Sequence, residues 1–172
     1  MPHLDQLVAG AVALSGGELV GRIRLQKVIY LLDQLGLSSG ASFEYHHYGP
    51  YSEVVSDAVT DAKFWGHLEE AVSFRLSDGA PYSSYKAAIA APDSLGDMSA
   101  DDARRFLAKF NSCTSTVLEL AATVHWLAFV EKVPNWRAEI EVRKAGKTDK
   151  GRLDKALALL RDIGLAPKQA CD

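Results

Sequence analysis

Cysteine is scarce, with Cys113 and Cys171 the two in 172 residues. So few thiols, so far apart, exclude a disulfide-stapled scaffold, and no CxxC, HExxH or comparable pair marks a zinc site. Both cysteines read as reduced thiols of a cytoplasmic protein. Uninterrupted apolar runs are short of the roughly 20 residues that a membrane helix needs, so no membrane span is expected. The opening stretch MPHLDQLVAGAVALSGG has no basic region and carries Asp5 within its apolar part, so it does not read as a signal peptide. Neither sign of charge is in large excess: the formal net charge of −3 gives no general reason to expect a nucleic-acid partner. GxSxG, GxxxxGK[ST] and GxGxxG are missing too. Cys113 with His125 is the one nucleophile–base pair that suggests itself, and a cysteine in such a setting is usually a small buried hydrophobe. These absences lead to the expectation of a protein that is not an enzyme and uses no metal or cofactor.

What is present centres on residues 21–66. Leu25, Val28, Ile29, Leu32 and Leu35 recur at three- and four-residue spacing and predict a helix with one buried stripe; Arg22, Arg24, Lys27, Asp33 and Gln34 fall largely off it. Gly36 ends that helix. Phe43 to Tyr48 predicts a strand leading into a Gly49-Pro50 turn. Ser52 is a natural N-cap for a second helix, with Val54, Val55, Ala58, Val59 and Ala62 on its apolar face and Gly66 at its end. The run LQKVIYLL, followed by YHHYGPYS and by an aromatic-Gly-x-Leu element at Trp65 to Leu68, resembles YwgA-like proteins. These in turn are similar to SocA-type antitoxin (Panacea) domains, which share an LxK helix and a Gly-Pro turn. That resemblance implies a small, mostly helical bacterial domain that acts by binding other proteins, and it carries over no catalytic motif.

Along the rest of the chain, Leu4, Leu7, Val8, Ala11 and Leu14 predict an N-terminal helix. Residues 68–75 alternate in the manner of a strand, and Pro81 to Ile89 can return after Ser77-Asp78-Gly79. Residues 91–98 form a polar link, Ser99 with Asp102 begins a helix, and 111–116 interrupts it. VLELAATVHWLAFV predicts a central buried helix, Pro134 breaks it, and two more helices follow at 136–144 and 148–163. The fold class expected is α+β, mostly α. A winged-helix-like N-terminal half with a small β-hairpin, residues 1–90, packs against C-terminal helices, residues 91–172, as one compact unit.

Two surfaces stand out as candidate sites. Tyr45, Tyr48 and Tyr51, with Gln26 and Lys27 reaching the same turn, form a candidate partner-binding cluster, because large planar side chains with polar tips suit interfaces; the competing reading is that they pack internally. Arg143, Lys144, Lys147, Lys150 and Arg152 form a basic segment that could contact an anion or nucleic acid; the competing reading is a solvated loop. Against DNA binding stands the acidic stripe Glu53, Asp57 and Asp61 on the helix that would enter the groove. His46 and His47 point to opposite strand faces and cannot easily share a metal. The functional expectation is thus a non-enzymatic protein-binding or regulatory module, antitoxin- or adaptor-like. The alternative is a DNA-binding transcription regulator that uses the hairpin and residues 143–152. A protein partner is expected, and the exposed part of the hairpin leaves room for a homodimer.

Overall fold

The second helix sets the architecture. A computed structural model describes residues 3–171, and in it α2 (Arg22–Gln34) is buried at every position from Leu25 to Leu32. The sequence stripe predicted one inward face. Instead neighbours surround the helix, so Lys27, expected off the stripe, lies inside together with Gln26.

Before it come α1 (Leu4–Leu14) and β1 (Glu18–Val20); after it come β2 (Glu44–His46), β3 (Gly49–Tyr51), α3 (Glu53–Phe64), β4 (Leu68–Phe74) and β5 (Pro81–Ala87). Two further short strands, β6 (Ser94–Leu95) and β7 (Met98–Ser99), pair in the segment expected as a link. Then follow α4 (Ala100–Asn111), α5 (Ser115–His125) with a π-helical turn over Trp126–Val130, α6 (Trp136–Arg143) and α7 (Arg152–Ile163). The fold is mostly helical, with small antiparallel sheets.

Local chemistry explains most of the boundaries. Ser52, Ser99, Thr114 and Asn135 each accept a backbone N–H at a helix start. α4 and α5 meet at a bend of 116°, where the interruption was expected. α7 starts at Arg152 rather than Thr148, because Gly151 takes a left-handed conformation there. The sheet runs β1-β5-β4, with Leu19 opposite Tyr85 and Leu68 opposite Ala87. Strand β1 is missing from the sequence reading: three residues are too few to show a period, and its partner lies far along the chain.

From Val117 to His125, α5 is buried throughout. It packs on α2, so one continuous apolar core takes residues from both halves of the chain. Glu53, Asp57 and Asp61 are exposed along α3. Cys113 is half-buried and Cys171 exposed, neither in a disulfide. No single described helix is long and apolar enough to cross a membrane.

Where α2 meets α5, the Tyr30 hydroxyl lies 2.7 Å from His125 Nδ1. Burial lowers the His125 pKa from 6.5 to about 4. The unfolded imidazole takes up its proton as pH falls through 6.5, while the folded one stays neutral down to about 4. Stability linked to His125 is therefore lost as pH falls across that window. In thermal melts, His125→Gln should show a shallower loss over that window than the native chain; parallel pH profiles would contradict this.

Candidate functional site

The site is built on the β2–β3 hairpin. Tyr45 pairs with Pro50 and His46 with Gly49, so the turn falls at His47-Tyr48, and Gly49-Pro50, expected to be the turn, is instead strand β3. The glycine is needed for a different reason. Its φ is +88°, and a Cβ there would stand 2.6 Å from Thr123 Oγ1 on α5. Close approach of the hairpin to a buried helix, rather than chain reversal, requires a residue without a side chain.

Two buried lysines, one on α2 and one at the end of α6, hold this turn. Lys27 Nζ donates to the Pro50 carbonyl at 2.7 Å, and Lys144 Nζ donates to the His47 carbonyl at 2.8 Å. Gln26 adds a two-point clamp: its Nε2 donates to Ser52 O at 3.0 Å, and its Oε1 accepts from Ser52 N at 2.9 Å. Ammonium groups in such a place need a counter-charge. Glu119, buried on α5, supplies it, accepting from Lys144 at 2.8 Å and from Lys147 at 2.9 Å. Burial lowers the Lys27 pKa to about 8; Glu119 opposes that shift, and Lys144 and Lys147 reinforce it.

The five predicted partner-binding residues therefore divide. Tyr48 is 45% exposed, with the Lys147 ammonium 4.9 Å from its ring centre. Tyr51 is partly exposed and stacks on His46 with centroids 4.7 Å apart. Tyr45 is half-buried beside Trp126, with the Arg143 guanidinium 4.8 Å from its ring centre, and burial raises its pKa. Gln26 and Lys27 are buried and hold the turn in place, because their polar ends are committed to backbone groups.

The basic segment divides too. Arg143 binds Glu131 and Glu139, Lys144 and Lys147 serve Glu119, and Arg152 donates to the carbonyls of Lys147 and Gly146. Lys150 is exposed. As a set for gripping a phosphate backbone these residues are poorly placed, since Arg143, Lys144, Lys147 and Arg152 already answer internal acceptors.

Tyr48 stands between two open depressions. One, about 440 Å³, is walled by Arg22, Lys27, Tyr51, Lys63 and Glu70. The other, about 600 Å³, is walled by Val72, Arg75, Tyr82, Thr116 and Lys147. Arg22, Ile23 and Tyr48 belong to both, which makes one groove with a tyrosine at its middle. On its first wall, Arg22 and Lys63 approach Glu70 at 3.2 and 3.0 Å. Burial opposes the ionisation of Glu70, yet hydrogen bonds from Lys63, Ser83 and Arg22 hold its carboxyl below the usual range. The groove is lined by Arg22, Lys27, Lys63, Arg75 and Lys147 against Glu70 and Glu119, so its sign is opposite to that of the whole chain. Such a groove suits a ligand with planar groups and negative charge.

Sequence reasoning missed Glu119, Arg22, Lys63 and Glu70. Only Glu119 carried a signal: a lone carboxylate inside an apolar helical run is either paired or neutralised.

Fold and groove together describe a mostly helical α+β protein with a cation-lined, aromatic groove beside a lysine-held hairpin. No family model matches the chain. It is similar to the uncharacterized protein YwgA of Bacillus subtilis, with 24% identity over 159 residues that cover 90% of this chain and 91% of that one. It is also 30% identical over 143 residues to the DNA ADP-ribosyl glycohydrolase of Thermus aquaticus, covering 78% of this chain but 39% of that protein's length.

The second likeness corrects the expectation that the chain is not an enzyme, since this relative is an enzyme by name. The missing motifs belong to acyl transfer, phosphate binding and dinucleotide binding. They say nothing of glycosidic hydrolysis, which is set by the spatial placement of side-chain carboxyl groups.

Proposed function

We propose that the chain is a regulatory binding module whose groove captures an acidic segment of a partner protein, with Tyr48 and Tyr51 as anchors, in a setting that involves ADP-ribose on DNA. The observation that carries this reading is the way Tyr48 is presented: an exposed ring on a turn whose Pro50 and His47 carbonyls are held by Lys27 and Lys144. Anchors held rigid before binding lose little entropy on association. The surplus of cations suits carboxylates on the partner, as expected of an antitoxin- or adaptor-like domain. The setting rests on the name of the Thermus relative. The order of α1 to α3 and then the β4–β5 hairpin, with β1 on the edge of β5, supports a winged-helix reading, but the exposed acids on α3 disfavour insertion of that helix into a duplex.

The test is affinity capture from cells that carry the protein, comparing the native chain with Tyr48→Ala/Tyr51→Ala. Capture should be lost in the variant while its melt stays close to native, because both rings are at least partly exposed. Recovery of the same proteins by the variant would reject the reading.

A second reading follows from the enzyme name of the Thermus relative: the groove receives an ADP-ribosyl group, its adenine against Tyr48 and its diphosphate near Arg22 and Lys63. Release of ADP-ribose from a modified oligonucleotide, lost in the same double variant, would favour this second reading.

A further inference from the structure

Strand β4 forms one edge of its sheet. β5 flanks it on one side, and among the described residues no strand flanks it on the other. Backbone polar groups alternate in direction along a strand, and here two bonds settle which residues face which way. Ala88 N donates to His67 O and Arg75 N to Ala80 O, both at 2.9 Å. Pairing runs unbroken between these points, from Leu68 opposite Ala87 to Phe74 opposite Pro81. The odd-numbered residues of β4 thus bond to β5, and the N–H and C=O groups of Glu70, Val72 and Phe74 point outward.

A row of unpaired backbone groups is a template for another strand, and proteins usually blunt it with proline, a bulge or central charge. β4 has no proline and no break in register, and Val72 and Phe74 are 56% and 66% exposed. Its exposed charges instead flank the open stretch, Glu69 on one side and Arg75 on the other.

We propose that this edge pairs antiparallel with the same edge of a second copy, about a twofold axis at Val72. In that register Val72 faces Val72, the outward groups of Glu70 meet those of Phe74, and Ala71 faces Ser73. Glu69 of each copy faces Arg75 of the other; Arg75 already binds Asp78 at 2.8 Å within its own hairpin, so each copy offers it a second carboxylate. Moving the axis to Ala71 would set Glu69 against Ser73, and moving it to Ser73 would set Arg75 against Ala71; neither forms that pair. Charge complementarity thus selects both the register and the occupant. Val72 and Arg75 also wall the second depression, so the paired edge borders the groove.

Light scattering or sedimentation over a range of concentrations reads the dimer directly. Val72→Pro removes an N–H that β5 does not use, so it should give a monomer with the sheet intact. Glu69→Arg alone, or Arg75→Glu alone, should raise the dissociation constant about tenfold or more, and the two together should restore it. Within one copy the two residues stand roughly 20 Å apart along the strand, so only pairing between copies can produce the rescue. A chain that stays monomeric at every concentration, even one that accepts a foreign strand on this edge, overturns the proposal. So do single reversals without effect, or a double reversal that fails to recover.

Discussion

Glu119→Gln should be the most damaging conservative change in the protein, lowering stability by about 3–5 kcal/mol at neutral pH. The side chain is nearly the same size, so the loss is electrostatic. Lys144 is buried and its ammonium is bound to this carboxylate at 2.8 Å, with Lys147 at 2.9 Å; Lys27 lies in the same field. Without the carboxylate, three ammonium groups crowd a site that offers them only carbonyls. For a chain of this size the melting temperature should fall by about 10 °C.

Lys144→Met should cost less, about 1–2 kcal/mol, because Glu119 keeps Lys147 and the main loss is the hydrogen bond to His47. The sign of the pH dependence follows from Lys27. Burial disfavours its charged form and lowers its pKa to about 8, so the folded protein sheds that proton before the unfolded chain does. Native stability linked to Lys27 accordingly rises with pH above about 8. The deficit of Glu119→Gln should shrink over the same range as the Lys27 ammonium discharges. Denaturant titrations at neutral and alkaline pH measure both effects; a Glu119→Gln variant that melts within about 2 °C of native would show that the carboxylate is not needed.

Gly49→Ala is the second large effect, at about 3 kcal/mol or more. Two costs combine. The φ of +88° is unfavourable for any side chain, and the new methyl group would overlap Thr123 Oγ1. They can be separated, because Thr123 Oγ1 is buried without a hydrogen-bond partner among the described residues and can be removed at little loss. Gly49→Ala/Thr123→Ala should regain the overlap cost and retain the backbone cost, so the double variant should be more stable than Gly49→Ala alone. Additive losses from the two changes would contradict this geometry.

Features governed by local chemistry were legible before the structure. Ser52 and Ser99 cap their helices as expected, and Gly36, Gly66 and Gly164 take left-handed conformations at helix ends. The exposed acids of α3 and the existence of strand β4 were legible for the same reason, since a period needs only neighbours in sequence, although Val72 and Phe74 on its apolar face are exposed. Long-range contacts were not legible. A helical stripe argument assumes one wet face, and α2 has none between Leu25 and Leu32, so Lys27 was placed off the buried stripe when it lies inside. β1 exists only because β5 passes beside it. Gly49 looks like a turn glycine until α5 is in place. The tyrosines were the right residue type on the right segment, but which of them face outward depends on Trp126 and Arg143, which cover Tyr45 and not Tyr48.

The mutual burial of α2 and α5 bears on how this unit is inherited. Each helix is the hydrophobic wall of the other's half, so a gene rearrangement that separates the halves would leave two sticky fragments in place of a working fold. A longer polypeptide has to acquire such a unit as an undivided cassette, joined at its ends.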